Sequence, residues 1–305
     1  MISGPLDHFR SGYVAIVGLP NVGKSTLLNR LLSTHLAAVA PRPQTTRHRI
    51  LGILNGPGFQ AVFLDTPGLL QPKYALQQQM KRQIDLALKD ADLVMLVLDA
   101  SRPDPDRGQV PPMLSGRKVL AVLNKVDLVR DKSSLLSEVD RLNKEGAAEV
   151  FMVSALRGGG VEQLKAGVAA LLPEGQAFYP PDAVADRPEK FFAAEFVREA
   201  VFNLYGEEIP YSTAVVVDEF KERPGRKDYI LVTIYIERES QKAILIGRSG
   251  MAMKRAGSMA RRQIEAFLGR PVYLELRVKV AEAWRNDIRF IRENVYGSDR
   301  PSGTA

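Results

Sequence analysis

Three short stretches combine residue types and spacing that suit phosphate chemistry. GLPNVGKST at 18–26 fits G-x4-G-K-S and sits between an apolar run and a helical one. Glycines let backbone N–H groups curl around phosphate oxygens, and the N-terminus of the following helix adds partial positive charge. On this pattern Gly18, Asn21, Val22, Gly23 and Thr26 form the cradle, Lys24 reaches the β and γ phosphates, and the Ser25 hydroxyl ligates Mg²⁺. DTPG at 65–68 follows another apolar run, so Asp65 is placed to hold Mg²⁺ through water and the Gly68 N–H to sense a γ-phosphate. Bare Asp-x-x-Gly is a weak pattern; its place at the end of a strand, where ligands bind in such sheets, makes it informative.

The third stretch is NKVD at 124–127. A carboxylate accepts two hydrogen bonds side by side, and guanine offers adjacent N1–H and N2–H₂ donors where adenine does not. A site built for those donors rejects the base lacking them, because its own acceptor is left unpaired. Asp127 is therefore the expected base reader, with Asn124 and Lys125 beside it; the backbone N–H groups of Ser154 and Ala155 in SAL face the guanine O6, and Leu156 of the same loop also binds the nucleotide. The loop QTTRHRI between the first helix and the second strand supplies a threonine to Mg²⁺: Thr45 or Thr46, with Thr46 preferred. Leu69 and Leu70 stand where many GTP hydrolases place a water-orienting glutamine. The three histidines, His8, His35 and His48, share no metal-ligand spacing.

Positioning these groups requires a sheet whose strands end together. Apolar runs at 13–17, 59–64, 93–98, 119–123 and 150–153 read as strands, and stretches at 24–32, 74–89 and 161–172 have helical spacing. Continuous apolar strands alternating with helices imply an α/β fold with a mostly parallel sheet covered on both faces. Pro173, Pro180, Pro181 and Pro188 then interrupt the pattern and read as a linker. The expected organisation is a P-loop domain over 1–175, a linker over 176–189 and a second domain over 190–305.

The second part reads helix, two β-branched strands, helix, tight loop, helix, strand. That order, with GRSG at 247–250 between the last two helices, is that of a type II KH domain, an α+β fold. Gly247 and Gly250 let RNA backbone approach, while Arg248, Ser249, Lys254, Arg255 and Arg262 are the candidate RNA contacts. From Lys242 to Arg270 seven Lys/Arg face a single acid, Glu265, so the basic excess is local. Met253, Ala256, Ala260, Ile264 and Phe267 form the stripe expected to be buried. Trp284 is read as packing on the domain rather than stacking on a base.

The chain has 305 residues, a net charge of +7 and no cysteine, which excludes disulfides and Cys-based metal or redox sites and suits a reducing cytosol. No apolar h-region opens the sequence, and no run is long enough to span a bilayer. The charge permits an anionic partner without identifying one.

Taken together, GLPNVGKSTLLN, QTTRHRI, DTPGL, NKVD and SAL resemble the Era-type GTPases. The likeness continues through EIPYS and ILIGRSGMAMKRAG to VYLELRVKVAEAW, covering about residues 10–286. It implies a GTP/GDP-binding and hydrolysing switch that uses Mg²⁺, binds the 3′ end of 16S rRNA and assists small (30S) subunit maturation. It also implies a cytoplasmic monomer with weak peripheral membrane association. Relatives with a hydrophobic residue in place of the glutamine hold a potassium ion partly through a P-loop asparagine; the matching residue is Asn21. The catalytic set so implied is Lys24, Thr46, Gly68 and Asn21, with slow intrinsic turnover because no side chain of DTPGLL orients water. The alternative is a constitutive RNA-binding assembly factor whose nucleotide site is structural. A tRNA-modifying GTPase fits less well, given the KH tail and the missing cysteine.

Overall fold

Strands buried on both faces must be apolar along their length, and two runs meet that demand up to a polar last residue. LVMLVLD and VLAVLN are buried at every position and form the middle of a six-stranded sheet. The structure, a computed structural model, describes residues 9–102 and 110–297; His8 lies outside them. The chain divides into two units, one of Met1–Ala37, Thr46–Leu70 and Met80–Asp186, the other of Ala38–Thr45, Gln71–Gln79 and Arg187–Ala305.

The first unit contains β1 (Arg10–Val17), α1 (Lys24–Leu32), β2 (Ile50–Gly56), β3 (Phe59–Asp65), α2 (Ala75–Asp90) from Met80 onward, β4 (Leu93–Asp99), β5 (Val119–Asn124), α3 (Ser133–Lys144), β6 (Glu149–Val153) and α4 (Val161–Leu171). The sheet order is β2-β3-β1-β4-β5-β6. All neighbours are parallel except β2, which runs antiparallel to β3. The parallel strands therefore end on one edge, and the loops after β1, β3, β4, β5 and β6 gather there. β2 was not among the expected strands: Gly52, Asn55 and Gly56 dilute its apolar run, and it forms by pairing with β3 across a short turn.

The proline-bearing stretch after α4 is no free linker over its first part. Buried Gln60 accepts the Phe178 and Tyr179 N–H groups at 2.7 and 3.0 Å and donates to the Tyr179 carbonyl at 2.9 Å. The Ile53 N–H reaches the Val184 carbonyl at 2.9 Å, and the Phe178 ring lies 5.0 Å from Tyr13. Proline ends regular structure there, but hydrogen bonds to the sheet edge hold the chain down.

The second unit runs α5 (Glu189–Leu204), α6 (Ile209–Ser212), β7 (Ala214–Lys221), β8 (Asp228–Ile236), α7 (Glu239–Ile246), α8 (Met251–Leu268) and β9 (Val272–Val280). Its sheet order is β7-β8-β9, antiparallel then parallel. Apart from short α6, this is the order expected for a KH domain. The stripe of α8 is in place: Ala256, Ala260 and Ile264 are buried, and Phe267 meets Phe192 and Phe196 of α5 at 4.8 and 5.5 Å. Within this unit Arg198 of α5 is buried, pairs with Glu195 and donates to the Thr45 carbonyl.

Trp284 is 1% exposed and donates from Nε1 to the Ser212 carbonyl at 2.8 Å, so it packs. As the chain's single tryptophan, it should emit at short wavelength and resist acrylamide quenching. Trp284→Phe should lower stability by about 1–3 kcal/mol, because the ring's replacement leaves a buried carbonyl unpaired. Red-shifted, freely quenched emission would contradict this burial.

Candidate functional site

The GLPNVGKST loop closes tightly because of what lies beneath it. Gly23 caps α1 with φ 96°, and a Cβ there would fall 2.4 Å from Asn124 Nδ2. Gly68 approaches so closely that a Cβ would meet Pro20 at 2.8 Å. The neighbouring Leu69 N–H donates to the Gly18 carbonyl at 2.9 Å, and the Leu69 side chain packs half-buried against the core. The residue standing in the glutamine's place thus pins the DTPG loop onto the first loop.

Lys24 is 6% exposed and donates to the Gly18 and Leu19 carbonyls, each at 3.0 Å. Burial pushes its pKa down to about 8, against the attraction of Asp65. Asp65 is fully buried at the end of β3. Its Oδ2 accepts from Ser25 Oγ at 2.7 Å and Thr46 Oγ1 at 3.3 Å, and the two hydroxyls lie 2.8 Å apart. Burial pushes the Asp65 carboxyl up to about 6, opposed by Lys24 and by those hydroxyls. Raised above its unfolded value of 3.8, the carboxylate removes stability as pH rises between there and about 6, and a cation bound to the ionised form restores it. Asp65 Oδ1 is buried with no hydrogen-bond partner among the described residues. Two hydroxyls beside a half-satisfied carboxylate make three hard oxygen groups in all, which fit Mg²⁺. Thr45 is not part of this cluster: its hydroxyl turns back to the Arg42 carbonyl at 2.7 Å.

Asn124 links the loops. Its Nδ2 donates to the Val22 carbonyl at 2.8 Å and its Oδ1 accepts the Ala155 N–H at 3.0 Å. Lys125, left-handed at φ 65°, reaches the Asn21 carbonyl at 2.6 Å and Asp99 at 2.7 Å. Burial works against the Asp99 charge, yet hydrogen bonds from Lys125 and Ser101 hold its carboxyl below the usual range. The Asp127 side chain is 9% exposed and lies 3.5 Å from the Arg157 guanidinium.

The SAL loop corrects one expectation. The Ser154 N–H closes onto the Gly159 carbonyl at 2.9 Å, and that of Ala155 is taken by Asn124. Both amides expected to face O6 are thus taken, while that of the next residue, Leu156, lacks a protein acceptor among the described residues. The structure also adds two residues that no motif marks, Asp99 and Arg30. Arg30 of α1 donates from Nε to the Ala155 carbonyl at 3.0 Å and from Nη2 to the Leu156 carbonyl at 2.5 Å.

In the second unit, α7 and α8 meet at Gly247 to Gly250, with both glycines and Ser249 at positive φ. A groove of about 700 Å³ runs from Gly250 along Lys254 and Arg261 of α8 to Leu274 and Leu276 of β9. Lys227 and Lys242 complete four cations on a lining without any acid. Gly247, Arg248 and Ser249 stand in the loop beside it. Arg255 and Arg262 do not line the groove: each is one residue, about 100°, round the helix from Lys254 and Arg261. Arg261 takes the place given to Arg262.

The family model for 50S ribosome-binding GTPases matches residues 13–125, and that for the KH domain matches 208–285. The chain is 46% identical to GTPase Era of Geobacter sp. (strain M21) over 295 residues, covering 94% of this chain and 98% of the relative. It is 42% identical to GTPase Era of Thermotoga maritima, over 90% and 93%. Era in complex with MgGDPNP and nucleotides 1506–1542 of 16S ribosomal RNA superposes with a TM-score of 0.89 at 39% identity, over 95% of this chain and 99% of that one. A variant of Aquifex aeolicus Era bound to GDP·AlF₄⁻ gives 0.87 at 38%, over 94% and 99%.

Arg30 fixes two carbonyls of the loop, so the amides on its other side depend on it. Arg30→Ala should weaken binding of guanine and hypoxanthine nucleotides about tenfold, roughly 1.4 kcal/mol, because both keep O6. A 2-aminopurine nucleotide, which lacks O6, should bind unchanged. Equal losses for all three, measured by fluorescence competition, would reduce Arg30 to a fold residue.

Proposed function

The chain belongs to the GTPase Era family, and from that premise we propose that it is a GTP-hydrolysing factor that binds the 3′ end of 16S rRNA and serves small-subunit (30S) assembly. The domains so assigned are 1–175 for GTP and 190–305 for RNA. The observation that carries hydrolysis is the convergence of Ser25 and Thr46 on Asp65, whose second oxygen has no protein partner. Two hydroxyls converging on one half-satisfied carboxylate suit a cation that works on phosphate charge, which favours hydrolysis over the constitutive alternative.

In this reading Gly18, Asn21, Val22, Gly23 and Thr26 cradle the phosphates with their backbone. Lys24 supplies positive charge where the γ-phosphate leaves. Ser25, Thr46 and Asp65 would hold Mg²⁺, which when bound would neutralise charge on the nucleotide phosphates. Asp127 reads the base, while Asn124 and Lys125 brace the two loops, and Leu156 with Ser154 and Ala155 closes the site over it. Gly68 senses the γ-phosphate through its N–H. With Leu69 spent on pinning its loop, water is oriented by backbone and the Thr46 segment, and turnover is slow. Asn21, exposed at φ 64°, would help to hold a potassium ion, on family resemblance.

Gly247, Arg248, Ser249, Gly250 and Lys254 clamp about four nucleotides of single-stranded RNA, with Arg261 in the groove; Arg255 and Arg262 are left to steer at longer range. The 1506–1542 fragment bound to the related Era supports this reading. We further take the protein to be a cytoplasmic monomer with weak peripheral membrane association, on family resemblance. No helix of the described residues is long and apolar enough to cross a membrane.

Phosphate release tests the assignment. Wild type should hydrolyse GTP faster in potassium than in sodium, and Asn21→Ala should abolish that difference while leaving GDP affinity within threefold. Equal wild-type rates in both salts would remove the potassium ion; absence of release in either, with 16S 3′-end RNA present, would remove hydrolysis.

A further inference from the structure

The groove does not stop at the face that α8 covers. Side chains alternate along a strand, so Val272, Leu274 and Leu276 of β9 point to one side of the sheet and Tyr273 to the other. All four line the same cavity. The cavity reaches the part of β9 that carries Tyr273, and β9 is an edge strand, paired among the described residues with β8 alone. Lys227, just before β8, lines the cavity with them.

Tyr273 is 57% exposed, yet its ring is not loose. It lies 6.0 Å from the Tyr229 ring at 15°, and the two residues are register partners on β8 and β9. Tyr229 is itself fixed: its hydroxyl donates to Glu275 at 2.8 Å, and the Arg223 guanidinium sits 4.8 Å over its ring. A lone exposed tyrosine on an edge strand is ordinary. A pre-oriented one at the end of a groove with four cations and no acid is a different matter.

We propose that Tyr273 is a stacking platform for a nucleobase of single-stranded RNA, beyond the nucleotides that the Gly247–Gly250 loop clamps. The inference rests on the RNA reading of the groove and adds a subsite to it. The occupant is RNA because the groove that leads to the ring is lined by Lys227, Lys242, Lys254 and Arg261, which fit a chain of phosphates. Stacking supplies affinity without base identity, since every base has a π-face. The unpaired edge of β9 leaves room for the strand to pass. The ladder from Arg223 through Tyr229 to Tyr273 costs little order on binding because it is already assembled.

Fluorescence anisotropy with single-stranded 16S 3′-end oligonucleotides tests this. Tyr273→Ala should weaken an octamer about tenfold and a tetramer by less than twofold, while Tyr273→Phe matches wild type. An abasic nucleotide at one position of the octamer should cost wild type as much and should erase the Tyr273→Ala penalty, as a double-mutant cycle requires. Equal penalties on both lengths, or none on the octamer in a protein of unchanged melting temperature, overturn the platform. Arg248→Asp combined with Ser249→Asp separates the two readings. If this loop variant binds the tetramer as wild type does, the groove itself is not the RNA site and the platform falls with it. If the loop variant fails to bind and Tyr273→Ala binds normally, only the platform falls.

Discussion

Two opposite charges sealed at one sheet edge, Lys24 and Asp65, set the terms for the first unit. Removing ions from water costs more than their mutual attraction returns unless further hydrogen bonds complete the site. Here the completion is partial. Lys24 leans on two loop carbonyls, and Asp65 has hydroxyls on one oxygen and no protein partner on the other. The pKa directions say the same, Lys24 down and Asp65 up. Such a pair is at ease only with partners that bring both signs: phosphate oxygens for Lys24 and a divalent cation for the Asp65 side. The surrounding geometry serves that end, from the glycines that admit backbone at close range to the Asn124 side chain that ties two loops together.

The position of Leu69 follows from the same crowding. Gly68 must come against Pro20, and the next residue anchors that approach through Gly18. An apolar side chain packed on the core does this better than a polar one held out toward water. The Leu69 amide and its half-buried side chain thus dock the DTPG loop together, and no side chain at that position is left to orient water.

Much of this was legible in the sequence because phosphate and guanine recognition need particular atoms at particular spacings. Gly18, Lys24, Ser25, Asp65, Asn124 and Asp127 were named from pattern alone, and the structure gathers them at one edge. What was not legible depends on partners remote in the chain. β2 is a strand because β3 is beside it. The Ala155 amide is taken because Asn124 reaches it, and Arg30 matters because α1 passes under that loop; neither shows in spacing. On α8 the buried stripe is as expected, but the pattern points to Arg262 where Arg261 lines the groove. The 176–184 stretch looked like a linker because proline reports the end of regular structure, not the loss of hydrogen bonds, and buried Gln60 supplies those.

In the function proposed above, Asp65 and its two hydroxyl neighbours receive a divalent cation with the nucleotide. Titrating a non-hydrolysable GTP analogue with and without Mg²⁺, in wild type and Asp65→Asn, tests it most directly. The account predicts that Mg²⁺ tightens wild-type binding by tenfold or more, about 1.4 kcal/mol. Asp65→Asn should bind alike in both conditions and still prefer guanine. An Asp65→Asn protein that keeps the full Mg²⁺ increment would contradict it.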